Sequence, residues 1–206
     1  MSEGDFFSDE AKRASAAAVK RVEAQTSAEV VVAVRKRSGR YGVLAYHFGV
    51  GFAALLVAFL LVTPQVYSVG AIALEGLLAF ALGTVAAANF DTLLRAMSRA
   101  KTLDSNVNTG ARAAFFDLGI SRCSGRNGML VYVSLFERRC VVLPDLGIDP
   151  AGLGEAWLAA QRDLEQAVKR RNLPDFYRAL ESLGPVLGRA HPRSEDDVNE
   201  LPDEVQ

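Results

Sequence analysis

From Tyr41 to Phe90 the chain runs fifty residues with no lysine or arginine and one carboxylate, Glu75. Gly42–Val62 and Val69–Asn89 are each apolar throughout, and the polar patch Thr63–Ser68, with Pro64 in it, joins them. A helix that crosses a bilayer needs about 20 mostly apolar residues, and both arms meet that length. The pattern predicts a two-helix transmembrane hairpin over 42–90; a pair of core helices in a soluble protein is the alternative.

Charge orients the hairpin. Lys20, Arg21, Arg35, Lys36, Arg37 and Arg40 precede the first span, Arg95, Arg99 and Lys101 follow the second, and the connecting patch has none. Basic residues near span ends stay on the cytoplasmic side, which predicts an integral protein of the inner (plasma) membrane with both termini cytoplasmic. The first residues, MSEGDFFSDE, lack the basic start and apolar run of a signal peptide. Glu75 is an intramembrane carboxylate, either functional or turned toward the outer interface. Gly49, Gly51, Gly70, Gly76 and Gly83 allow close packing of the two spans.

The flanks leave enough chain for one soluble domain. A net charge of −1 gives no signal for nucleic acid. Cys123 and Cys140 have no metal-site spacing and are expected to stay thiols in the cytoplasm, and two histidines, His47 and His191, are too few for a His-based zinc site.

Ser8 reads as the N-cap of a helix running to about Gln25. Glu29–Arg35 reads as a strand whose unbroken β-branched run is covered on both faces. The second span should continue to about Ala100, followed by a helix capped at Asp104, Ser105 or Asn106 and ending near Gly119. Ser121–Gly128 reads as a loop, Met129–Leu135 and Cys140–Leu143 as strands joined by a turn at Phe136–Arg139. Helices follow over about Ala151–Arg171 and from Asn172 onward, the last interrupted at Gly184-Pro185. The acidic segment 192–206 is expected to be disordered. The predicted class is α/β: a small mixed sheet flanked by helices, built from 6–40 and 101–190 and interrupted by the hairpin.

Thr26–Val34, Arg126–Ser134, Glu137–Leu143 and Asp145–Ile148 together resemble the TPM domain family, in the branch where a membrane hairpin follows the first strand. The resemblance implies a small mixed sheet between helices. It also implies acid phosphatase activity or divalent-ion binding, as proposed for some members, or assisting assembly or repair of membrane complexes, as proposed for others. Many members have Asp before the Asn-Gly pair, where this chain has Arg126.

Phosphate-ester hydrolysis needs oxygen ligands for a hard cation such as calcium or magnesium. Asp145 and Asp149, four residues apart on a loop, with Asn127 and Glu137, are the candidates for that metal site and for catalysis. The competing reading makes Asp149 a helix cap, Asp145 a loop acceptor and Asn127-Gly128 a turn. Arg35, Lys36, Arg37 and Arg40 form a basic patch suited to anionic head groups. The function expected is a non-catalytic binding or assembly module with a membrane-protein partner at the cytoplasmic face. A weak metal-assisted phosphatase is the alternative.

Overall fold

The computed structural model describes Phe6, residues 8–193 and Leu201. All but 192, 193 and 201 of the segment expected to be disordered lies outside the described residues. The chain forms two compact units. One joins the residues up to Ser38 with those from Asp104; the other is Gly39–Leu103.

The first unit is a three-stranded mixed sheet flanked by helices. Strands β1 (Glu29–Arg35), β2 (Gly128–Ser134) and β3 (Arg139–Pro144) lie in that order. β1 runs parallel to β2, pairing Glu29 with Gly128 through to Arg35 with Ser134. β2 and β3 form an antiparallel hairpin, from Met129 opposite Pro144 to Ser134 opposite Arg139. The missing alternation in β1 has the expected cause, because both faces are covered. Val30, Val32 and Val34 pack with Met129, Val131 and Val133 against α1 (Asp9–Glu23), α6 (Pro150–Arg170), α7 (Leu173–Glu181) and α8 (Leu183–Ala190). Val31 and Ala33 pack on the other face with Leu130, Tyr132 and the Val107, Ala111 and Ala114 side of α5 (Ala100–Asp117).

Local chemistry sets most helix ends. The side chains of Ser8, Asp149 and Asn172 accept from the amides of Ala11, Ala151 and Asp175, capping α1, α6 and α7. Gly154 leaves helical geometry inside α6, at φ 65°.

In the second unit, α2 (Gly42–Val62) and α3 (Val69–Asn89) form a packed hairpin. A Cβ on Gly49 would lie 2.7 Å from the Phe80 carbonyl oxygen, and one on Gly83 3.2 Å from Gly49 Cα, so these glycines set the closeness of the helices. Gly51 and Gly70 have nothing within 4 Å and play no such part. Tyr46 stacks on Phe80 with ring centres 6.5 Å apart. Both helices are long and apolar enough to cross a membrane.

The last helical segment breaks at Ser182, and the expected breaker Gly184-Pro185 lies in the first turn of α8. Two boundaries around the second span also differ from expectation. α3 stops at Asn89 instead of continuing, and a separate α4 covers Asp91–Met97. α5 starts at Ala100, ahead of the expected caps Asp104–Asn106. Ser98 explains the second shift: its hydroxyl and amide both donate to Leu94 O and close α4, and Arg99 O then accepts the first amides of α5.

Candidate functional site

Of the predicted site residues, Asn127 and Asp145 lie at the end of the sheet where β1 and β2 begin and β3 finishes, Asp149 follows at the start of α6, and Glu137 lies at the opposite end, apart from them. Gly128 starts β2 against Ile120; a Cβ there would sit 2.8 Å from the Ile120 carbonyl oxygen, which leaves room for glycine alone. Asn127 is engaged by backbone on both sides. Its carbonyl accepts from Glu29 N at 3.1 Å, and its side-chain amide donates to Ser27 O. It fastens the parallel pair at its first rung.

Asp145 follows β3 and is buried, its side chain 3% exposed. Its amide donates to Gly128 O at 2.8 Å and its carbonyl accepts from Ile148 N at 3.0 Å. The oxygen Oδ1 accepts from Leu146 N at 2.8 Å and lies 3.1 Å from Arg126 Nη2. Oδ2 is buried with no hydrogen-bond partner. Asp149, by contrast, is exposed and uses Oδ1 for the α6 cap, 3.0 Å from Ala151 N.

Calcium takes about six to eight oxygen ligands and magnesium about six. Among the described residues, no group of three or more His, Cys, Asp and Glu side chains comes together. The loop brings together one buried carboxylate and a guanidinium, a donor set that does not fit a divalent cation.

At the opposite end of β1 and β2 lies a buried polar network. Glu137, on the expected hairpin turn, is fully buried. Its Oε1 accepts from Ser38 N at 2.9 Å and its Oε2 from Ser134 Oγ. Ser38 Oγ donates to Ser134 Oγ at 2.7 Å and lies 2.9 Å from Tyr132 OH. α5 passes close to this point at Gly110, where a Cβ would fall 2.6 Å from that hydroxyl. Ser134 has no exposed surface, so the serine–glutamate pair holds the β1 exit in place and cannot meet a substrate. The one signal in the sequence is Ser134 on the same strand face as Leu130 and Tyr132, a hydroxyl at a core position.

Of the basic patch, Arg35, Lys36 and Arg37 are exposed at the end of β1, and Arg37 lies over the Phe136 ring at 4.6 Å. Arg40, also exposed, belongs to the other unit. Beyond β3 a shallow groove of about 570 Å³ is lined by Val142, Pro144, Trp157 and Leu158. Cys140 lies in the adjoining depression. It keeps part of its surface exposed, yet burial pushes its thiol above the ordinary range, and the charge of Glu165 adds to the shift.

No family model matches the sequence, and no curated protein matches it. Among solved structures the chain is similar to the NMR structure of the BA42 protein from the psychrophilic bacterium Bizionia argentinensis. The identity is 18%, the match covers 96% of this chain and 92% of that one, and the TM-score is 0.57. At that identity the likeness is one of fold.

Proposed function

We propose that this chain is an integral membrane protein whose TPM-like α/β unit is a non-catalytic binding or assembly module at the cytoplasmic face. The observation that carries the membrane part is the outer surface of α2 and α3. Leu55, Leu61, Val62, Leu77 and Leu82 are each 65–81% exposed. Only 17% and 11% of the apolar windows are buried. Soluble proteins rarely expose an apolar patch larger than a few hundred Å², and lipid is the cover such a surface needs. Each exposed base of Arg35–Arg37, together with Arg40, adds about 1 kcal/mol near an anionic leaflet.

The non-catalytic role is supported by how the candidate carboxylates are used: Asp145 pairs with Arg126, Asp149 caps a helix, and Glu137 is sealed in the network. A reporter fused at Gln65 should be extracytoplasmic, and in-cell crosslinking should capture a membrane protein. Recovery of soluble monomer without detergent would overturn the membrane reading, and crosslinking that yields only lipid and the chain itself would overturn the partner.

A metal-assisted phosphatase using Asp145 and Asp149 is the second reading, favoured by one observation, the unpartnered Asp145 Oδ2. It requires aryl-phosphate hydrolysis that depends on Mg²⁺ or Ca²⁺ and disappears in the double variant Asp145→Ala, Asp149→Ala.

A further inference from the structure

The loop pair at the start of β2 contains a residue whose backbone and side chain pull in opposite directions. Arg126 has φ 52°, in the left-handed region. Glycine occupies that region freely, asparagine and aspartate with modest cost, and a long side chain such as arginine at greater cost. A side chain kept at such a position is expected to offset the cost elsewhere, and the geometry shows where.

The guanidinium spans two segments. Nη1 donates to Ser121 O at 2.7 Å, in the 3-10 turn that precedes the loop, and Nη2 lies 3.1 Å from Asp145 Oδ1 beyond β3. The main chain of Arg126 ties the same segments: its amide donates to Cys123 O at 3.0 Å and its carbonyl accepts from Gly147 N at 2.8 Å. The crossing is tight enough that a Cβ on Gly147 would fall 2.6 Å from Arg126 O and 2.7 Å from Gly125 O.

A carboxylate as buried as that of Asp145 needs a partner charge or hydrogen bonds to offset its lost hydration. Its two available compensations are the Leu146 amide and the Arg126 guanidinium. A divalent cation seated on this carboxylate would have to displace or sit against a fixed positive charge, and among the described residues no group of three His, Cys, Asp or Glu side chains gathers there to share it.

We propose that Arg126 is a built-in counter-cation for Asp145. It locks the loop after β3 to the start of β2, and so makes the fold of the α/β unit independent of divalent metal ions. The inference rests on this loop alone and stands apart from the membrane and partner readings above.

The test uses the full chain in detergent, melted while following Trp157, the chain's one tryptophan, which is 2% exposed in the α/β core. The wild type should melt at one temperature in EDTA, in millimolar Ca²⁺ and in millimolar Mg²⁺. Arg126→Gly relieves the left-handed backbone, yet should melt about 5 °C lower because the charge is gone. Arg126→Lys, which keeps the charge without the fork, should lose about half as much and stands in if the glycine variant does not fold. In an Asp145→Asn background, Arg126→Gly should change the melting temperature little. A wild-type melting temperature that rises with Ca²⁺ or Mg²⁺ overturns the proposal. So does an Arg126→Gly variant as stable as wild type, or one whose loss persists in full when Asp145→Asn is also present.

Discussion

Replacing Glu137 by alanine tests whether the buried network at the β1 exit holds the α/β unit together. The carboxylate accepts at least two hydrogen bonds, from Ser38 N and Ser134 Oγ. Bonds to a charged acceptor contribute about 1.5–3 kcal/mol each, and the donors left behind are costly to leave unmet. The missing side chain opens a small cavity worth about 1 kcal/mol more. Release of a buried charge offsets part of this loss. The balance is a destabilisation of about 3 kcal/mol, or about 9 °C for a unit of this size. Glu137→Gln keeps the oxygen facing Ser38 N, while its amide must donate to the Ser134 oxygen, which already accepts from Ser38 Oγ. The Ser134 proton must then turn to another acceptor, so the variant should cost about 1 kcal/mol. Thermal melts followed by Trp157 emission read both variants without interference from the hairpin, which holds no tryptophan. An alanine variant that melts within about 2 °C of wild type would show that the network is spectator chemistry.

Four further outcomes follow from the structure. Gly49→Leu should splay the hairpin, since the new side chain meets Phe80 O and Thr84, at a cost of about 1–3 kcal/mol; compact-hairpin mobility in detergent gels should be lost, while Gly51→Leu leaves it unchanged. Native Cys140 should resist alkylation at neutral pH and react on unfolding, because the raised thiol value leaves almost no thiolate. That shift also favours the folded state fully below the ordinary thiol value of 9.0 and progressively less as pH climbs above it. Cys140→Ala should therefore flatten the alkaline fall in melting temperature, but only in part, since burial also raises the Tyr177 phenol. Replacing Gly39–Leu103 by a short glycine-serine linker should leave Trp157 buried and the α/β unit folded; an unfolded product in Trp157 fluorescence would refute the treatment of the hairpin as an insertion.

What could be read in advance was whatever depends on near neighbours. Ser8, Asp149 and Asn172 announce their caps because the acceptor and the amide it serves lie within three residues. The β-branched run of β1 announces burial on both faces because its pattern reports its surroundings directly. Partners far apart in the chain left no such trace. Glu137 beside Arg138 and Arg139 has the look of a solvated turn, and the amide that holds it belongs to Ser38, 99 residues earlier. Asp104, Ser105 and Asn106 look like caps, yet they lie inside α5 because Ser98 had already closed the preceding helix. Of the five span glycines, Gly49, Gly76 and Gly83 pack closely and two do not, a difference of helix rotation that composition does not carry.

The position of the apolar insert is itself explained by strand direction. Parallel strands cannot be joined by a tight turn and need a long crossover, so the link from β1 to β2 is where added chain disturbs least. Loop-closure entropy grows only by about 0.6 kcal/mol per doubling of length, a small term against seven paired positions from Glu29–Gly128 to Arg35–Ser134. The β2–β3 hairpin would not tolerate the same insertion, because its four-residue turn carries Glu137, whose burial depends on Ser134 and Ser38 standing at fixed distance. The insertion thus falls where topology makes it least costly, and the Ser38–Glu137 bond secures the strand end from which the chain departs.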